Sequence, residues 1–504
     1  MLKMVDGTGI IGVDMVCPLG GAVSPPQPPN FDKVEMEGVG SLMLPNSLKA
    51  PLERVELIGN STQGENPAPD NPQEIKNAGR KSKNLFNIAD LIVGHVQKDG
   101  TINEKETFYR SVILDVPEDG KYRISFNSNN DYTMLYFSEA YINGVYSQPY
   151  VRVHAGNSNS LISLKKGKNI LSFSTYNNNT QVDFPKDHNI IIAAESETLD
   201  YEPYGYFFDV KVTGKNLIKT SPILPKRWSN NIDNHVIEYI TLKPHTTYTL
   251  AMEEDTKYVN DLRVRIFSKN DMTRWLAEIL GASENKKKFT TKDDVECVLC
   301  VYHLLDYKGD VKQLQLVEGD ISTPYEPYTE QTVQIALDEP LRGIGEYKDT
   351  ITKDGVVRKI KRIVFDGSED EKWALSNDPL NVTTNRFIIR MNIINTYYKM
   401  LTMCNKMAWK NINQVDVVGQ TTHGVNFYIT LPKDLAPDLQ TFRTWLSQNP
   451  LTVDYVLAEP VTELLPESVQ DQLSALHSEN GTTHVFVESG EVPCGIKLTY
   501  RKEK

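Results

Sequence analysis

A four-residue phrase occurs twice in this chain, as Tyr201-Glu202-Pro203-Tyr204 and Tyr325-Glu326-Pro327-Tyr328, and each copy closes a segment that opens on Lys-Asn-Leu. The openers are Lys83-Asn84-Leu85 and Lys215-Asn216-Leu217, which stand 118 and 110 residues before the first closing tyrosine. That length suits one β-sandwich domain. Landmarks inside the frame also recur in order. Leu114-Asp115-Val116-Pro117 with Tyr122-Arg123-Ile124 matches Leu242-Lys243-Pro244 with Tyr248-Thr249-Leu250, each reading as strand, turn, strand. Ile192 and Leu316 both precede their closing tyrosine by nine residues. Two copies of one module are therefore expected, over 83–204 and 205–328.

A chain of 504 residues exceeds what one core supports, so three or four domains are expected. The 24 tyrosines, set among many Asn, Thr and Ser, favour strands and polar loops over long helices. A formal net charge of −12 argues against sequence-independent nucleic-acid binding, which needs a basic face. No apolar run is long enough for a membrane span, and residues 1–15 lack the basic start and apolar core of a signal peptide. Five cysteines are too few for a disulfide framework in a chain of this length. Cys297-Val298-Leu299-Cys300 has half the spacing of a zinc ribbon, but it lies in a strand-like run without a second pair, so buried strand thiols are expected.

In chain order, residues 1–47 alternate glycine-rich text with Ser24-Pro25-Pro26-Gln27-Pro28-Pro29, which suggests an arm that orders only against a partner. Residues 48–82 read as one alternating strand and a proline-rich link. In module one, Tyr132, Tyr146, Tyr150 and Tyr176 lie in amide-rich stretches, and Asn177 follows the last of them. Sugars offer a flat apolar face rimmed by hydroxyls, so rings interleaved with amides make these five residues the glycan-binding candidates. In module two, Asp271–Leu280 reads as a short amphipathic helix or turn, and Lys286-Lys287-Lys288 as a solvated loop. Residues 329–504 read as a C-terminal α+β domain, with helices from Pro437 to Leu446 and from Pro466 to His477.

Several phrases carry a resemblance. Leu57-Ile58-Gly59-Asn60-Ser61-Thr62-Gln63, Pro69-Asp70-Asn71-Pro72-Gln73-Glu74-Ile75-Lys76 and Lys83-Asn84-Leu85-Phe86 form one set. Pro324-Tyr325-Glu326-Pro327-Tyr328, Phe365-Asp366-Gly367-Ser368-Glu369-Asp370, Leu465-Pro466-Glu467-Ser468-Val469-Gln470 and Asn480-Gly481-Thr482-Thr483-His484 form another. Together, from about residue 48 onward, the chain resembles tail proteins encoded by phages and prophages of Gram-positive bacteria. The resemblance implies a structural virion component of baseplate or tail-fibre type, assembled in the host cytoplasm with other tail proteins. It also implies a mainly β fold of tandem carbohydrate-binding-module-like sandwiches ahead of the α+β domain, and the 1–47 arm as a virion anchor. Many copies, or a homo-oligomer, touching host-surface glycans would fit it. The first copy departs from the second at its end, with Leu199-Asp200-Tyr201 against Thr323-Pro324-Tyr325 and Glu195 against Gly319.

A search for catalysis finds no His-Glu-x-x-His, no His-x-His, no nucleophile elbow and no phosphate-binding loop. Neither a cofactor nor a metal is expected. Asp366, Glu369 and Asp370 form a carboxylate cluster that a polysaccharide-degrading enzyme could use, which is the alternative reading. The expected role of that cluster is a solvated turn, so no catalytic residue is assigned.

Overall fold

The computed structural model describes residues 5–6, 9–10 and 31–503, apart from 128–132, 155–159, 178–179, 183–188, 198–200, 253–261, 281–284, 294–295, 305–308, 320–323 and 377–380. Its largest unit is a twelve-stranded sheet that gathers strands from both ends and the middle of the chain. One end of the sheet runs Glu330–Leu337, Tyr206–Thr213, Gly481–Glu488, Ser41–Ser47, Gly495–Glu503 and Arg54–Ile58. It continues through Thr350–Thr352, Gly355–Phe365 and Leu451–Glu463 to Thr402–Cys404. Period-two patterning sets which face is buried: in Glu330–Leu337, Val333, Ile335 and Leu337 join the core while Thr332 and Gln334 are exposed. Phe208, Val210, Val212, Val485, Ile496 and Leu498 extend that core from neighbouring strands. At ~1.5–3 kcal/mol per fully buried large apolar side chain, this sheet is the stable trunk of the molecule.

Residues 31–47 belong to that trunk, which corrects the expectation of an arm ordered only against a partner. Phe31–Val39 pairs along its whole length with Gly495–Glu503, and Ser41–Ser47 pairs with Gly481–Glu488. Leu42 and Leu44 sit in the apolar core. The N-terminal and C-terminal strands therefore share one sheet instead of forming separate units. Most of residues 1–30, with the proline run, lie outside the described residues.

The two repeated segments leave and rejoin the trunk between adjacent strands. The first departs after Arg80–Lys81 and returns at Tyr206–Thr213, with Lys81 opposite Tyr206. The second departs after Thr213 and returns at Glu330, and those two residues are direct partners. Within each segment, two sheets, antiparallel apart from the short parallel pairing of Lys226–Arg227 with Glu296–His303 in the second, contribute to one apolar core. In the first, Gly167–Asn177 runs between Thr133–Ile142 and Tyr109–Val116. In the second, Glu296–His303 runs between Leu262–Ser268 and Val236–Thr241. The facing sheets correspond too: Gly120–Asn127 lies between Ser160–Leu164 and Asn189–Ala194. Its counterpart Thr247–Ala251 lies between Lys286–Thr290 and Gln315–Glu318. The order of these six strands is thus the same in both copies, while short flanking strands differ: Ile92–Val93 pairs with Tyr109–Val116 in the first and Lys226–Arg227 with Glu296–His303 in the second.

The repeated words fasten each segment shut. Asn84 donates to the carbonyls of Ile190 (2.9 Å) and Glu202 (3.2 Å), and its Oδ1 accepts from the N–H groups of Phe86 and Ile192 (2.9 Å each). Asn216 donates to Leu314 (3.3 Å) and Glu326 (3.1 Å) and accepts from Ile218 (3.0 Å) and Leu316 (3.1 Å). Only an amide side chain offers two donors and a two-lone-pair acceptor in one plane, so the opener is Asn for a physical reason. The closing glutamates are pinned as well, Glu202 by Arg80 at 2.8 Å and Glu326 by Lys215 at 2.7 Å. The matched tyrosines are buried alike, and their hydroxyls bond the preceding turn: Tyr122 donates to the Glu118 carbonyl and Tyr248 accepts from the Lys243 N–H, each at 2.9 Å. Burial pushes the Tyr248 phenol up to about 12.

Two α-helices occur among the described residues. Leu439–Gln448 starts where Asp438 accepts from Thr441 N–H at 2.8 Å, a side-chain cap for an orphan donor. It buries Phe442, Trp445 and Leu446, and Phe442 stacks on Phe387 with ring centroids 3.9 Å apart. Glu467–Ala475 follows Pro466 and packs Leu473 on the trunk. Asp271–Leu280, expected as a helix or turn, is a strand paired with Leu262–Ser268 across two register shifts. The three lysines expected in a loop begin the edge strand Lys286–Thr290, where exposed cations discourage pairing with another chain. Cys297 and Cys300 lie buried on Glu296–His303, and burial pushes the Cys300 thiol up to about 12.

Candidate binding face on module one

Along Thr133–Ile142, Leu135 and Phe137 point into the core, so the intervening Tyr136 projects from the opposite face of the sheet. Its cross-strand partners are Ser174 on one side and Arg152 on the other. Tyr150 approaches with ring centroids 6.3 Å apart and planes 30° apart, and Tyr176 meets Tyr136 edge-on at 6.3 Å. The Arg152 guanidinium lies 5.4 Å from the centre of the Tyr136 ring, within cation–π range. Tyr150 is 56% exposed and holds a backbone φ of +50°, a left-handed state that costs a bulky residue about 1 kcal/mol or more. Tyr136 thus carries two ring neighbours, one of them exposed and held in a left-handed backbone state.

Charged groups close one end of this face. The bulge between Phe137 and Glu139 turns the Glu139 carboxylate toward His95, whose Nε2 it meets, and Ser138 Oγ donates to the same carboxylate. His95 Nδ1 lies 3.7 Å from Glu106, and its ring packs 4.5 Å from Tyr109. Beneath them Ser172 Oγ accepts from Val96 N–H at 2.7 Å and shares a 2.7 Å bond with Ser111. The buried Ser174 hydroxyl, next to Tyr136 in register, has no hydrogen-bond partner among the described residues. Burial raises the Tyr109 and Tyr136 phenols, which therefore stay neutral hydrogen-bonding groups. Stacking rings beside an arginine, a carboxylate and phenol hydroxyls can hold the apolar face and the rim of a sugar at once.

Of the residues expected to bind glycan, Tyr150 and Tyr176 meet around Tyr136. Tyr146, on Val145–Ser147, lies opposite Tyr141; burial raises its phenol, and the charges of Glu139 and Tyr150 act on it. Tyr132 lies outside the described residues. Asn177 ends its strand opposite Thr133 and Thr180, and its side chain lies outside the described residues. Sequence reasoning missed Tyr136, Arg152, His95 and Glu139. The available signal was the polar-capable ring of Tyr136 set between Leu135 and Phe137 in an alternating strand.

A cleft of about 950 Å³ lies elsewhere, between trunk strands Tyr206–Thr213 and Glu330–Leu337 and the base of module two. Its central carboxylate, Glu330, is held by Lys211 at 2.8 Å, Lys219 at 3.5 Å and the Tyr328 hydroxyl, which bring its pKa down to about 2. Burial, then the Glu330 contact, pushes the Tyr328 phenol up. These groups satisfy one another and brace the neck of the module. At the Asp366 cluster, Asp366 accepts from Ser368 N–H at 3.0 Å, and Glu371 accepts from Asp366 N–H at 2.7 Å and from Trp373 Nε1 at 2.7 Å. The Ser368 hydrogen bonds hold the Asp366 carboxyl below the usual carboxylate range, the opposite of what a general acid needs. Among the described residues no group of three His, Cys, Asp or Glu is placed to hold a metal ion, and no helix is long and apolar enough to cross a membrane.

Neither a protein-family model nor a curated protein matches the sequence. Among solved structures, the arabinofuranosyltransferase AftD from Mycobacteria, seen by single-particle cryo-EM, aligns over 93% of this chain and 36% of that one. The identity is 8% and the TM-score 0.14, a similarity that carries no argument about fold or activity. This chain spans about a third of the length of that protein.

Proposed function

We propose that the chain is a non-catalytic attachment protein that presents glycan-binding β-sandwiches, akin to carbohydrate-binding modules, from a β trunk. The observation that carries the reading is the module-one face, where Tyr136 lies between Tyr150 and Tyr176 beneath Arg152, with the Glu139 carboxylate at its end. The virion setting, a phage tail or baseplate holding many copies, rests on the tail-protein resemblance of the phrases from Leu57 to His484. A single stacking ring contributes about 1–2 kcal/mol, by analogy with bases stacked on aromatic side chains, so one site is weak. Repetition of the subunit around a tail turns weak sites into firm adhesion through effective concentration.

The test is a glycan-array screen of the full-length protein, followed by titration of the best ligand with Tyr136→Ala and Tyr150→Ala. Each substitution is expected to weaken binding about tenfold. A full-length protein that retains no glycan, or variants that bind as tightly as the wild type, would remove module one as the binding unit.

A further inference from the structure

The face of module two that corresponds to the tyrosine face of module one is also built of rings, and its charge differs. Leu262, Val264 and Ile266 fill the core, so Arg263 and Arg265 emerge on the opposite side of the sheet, facing Tyr302 and Cys300 of the neighbouring strand. The Arg265 guanidinium lies 3.9 Å above the Trp275 ring and 5.5 Å from Tyr302, and Glu278 fixes it with a hydrogen bond of 2.6 Å. Trp228 covers Tyr302 at 4.7 Å and stacks on His235 at 5.1 Å. The two indoles remain open, Trp275 at 46% and Trp228 at 38%.

We propose that this face is a second binding site and that it takes an anionic saccharide, a sugar polymer bearing carboxylate or phosphate groups. The indoles supply planes on which pyranose rings stack, and the clamped guanidinium supplies a planar, preorganised donor set suited to carboxylate or phosphate. Lys226 and Arg227 form an exposed strand beside Tyr302 and His303, immediately before Trp228. Four cations, Lys226, Arg227, Arg263 and Arg265, thus stand against Glu278 and Asp233, on a chain whose net charge is −12. On the module-one face Arg152 lies over Tyr136, and two carboxylates, Glu139 and Glu106, meet His95 there, so the two faces select ligands of different charge. The choice of a saccharide as the ligand class rests on the glycan reading of module one. The positive, ring-bearing face itself does not.

The experiment titrates full-length protein with polygalacturonate, with neutral dextran and with a 15-mer of oligothymidylate, at low and moderate salt. Polygalacturonate is expected to bind with an affinity that falls as salt rises, and dextran at this face not at all. Trp228→Ala and Arg227→Gln, both at exposed positions, should each weaken polygalacturonate binding five- to twentyfold, whereas Lys353→Gln, on an exposed turn of the trunk, should leave it unchanged. Absence of polygalacturonate binding, or binding untouched by both module-two variants, overturns the proposal. Tighter binding of oligothymidylate, lost in the same two variants, overturns it in favour of a single-strand surface. Loss of polygalacturonate binding in Tyr136→Ala alone would return the activity to module one and remove the second site.

Discussion

Replacing Asn216 by alanine tests whether the repeated opener is a structural clasp. The residue is buried and makes four hydrogen bonds, two given and two received, to four different backbone positions of module two. Alanine leaves the N–H groups of Ile218 and Leu316 without their acceptor, and each buried orphan costs about 1–3 kcal/mol. Some relief from entering water leaves a net loss of about 3–4 kcal/mol, a large share of what a domain has. Native-state hydrogen exchange reads this directly. Protection of Leu316 and of its ladder partner Leu250 should drop by two to three orders of magnitude. Val210 and Val485 in the trunk should keep theirs. Asn84→Ala should reproduce the effect in module one, at Ile192 and Ile124, and spare module two. A loss below tenfold at Leu316, or an equal loss in the trunk, would refute the clasp.

Two further outcomes follow from the trunk. Burial, and secondarily Lys243, lowers the His484 pKa from 6.5 to about 4, while Glu318, 3.8 Å away, is engaged by Lys243 at 3.1 Å. The unfolded chain therefore takes up a proton that the folded one refuses, so this contribution is complete above pH 6.5 and is lost as pH falls toward 4. It is worth about 3 kcal/mol, and His484→Phe should flatten urea-unfolding curves between those pH values; an unchanged slope would contradict a neutral buried imidazole. Deleting residues 1–47 removes Leu42 and Leu44 from the core and should cost the trunk more than about 4 kcal/mol in urea unfolding. An unmoved midpoint would show that the paired strands of residues 31–47 add nothing.

Local chemistry was readable in the sequence, and long-range pairing was not. The helix around Phe442 and Trp445 announces itself by apolar spacing and by a proline before an acidic cap, and it forms at Leu439–Gln448. Asp271–Leu280 misleads for a physical reason. Register shifts beside Ile266 and Phe267 interrupt its alternation, so Trp275, Leu276, Ile279 and Leu280 fall at helix-like intervals while only Ala277 and Ile279 are buried. The trunk hides for another reason: Ser41 pairs with Phe486 and Phe31 with Glu503, and nothing in either segment names a partner more than 400 residues away. Amide-rich stretches point to loop rings on the module-one face. The central one, Tyr136, lies on a strand, where its two apolar neighbours disguise it as core.

What the two modules share in sequence is the joint and not the face. Asn84 and Asn216 meet equivalent carbonyls and N–H groups, because closing a β segment on itself requires that donor and acceptor pattern wherever it is done. On the outward faces the strand positions correspond while the residues do not: Tyr136 occupies Thr133–Ile142 where Arg265 occupies Leu262–Ser268. Each module also rejoins the trunk beside the strand it left, so its ends stay together whatever the intervening loops contain. A face can then change its rings and its charge without disturbing either the clasp or the trunk. That separation explains why a short phrase recurs in both copies when so little else does.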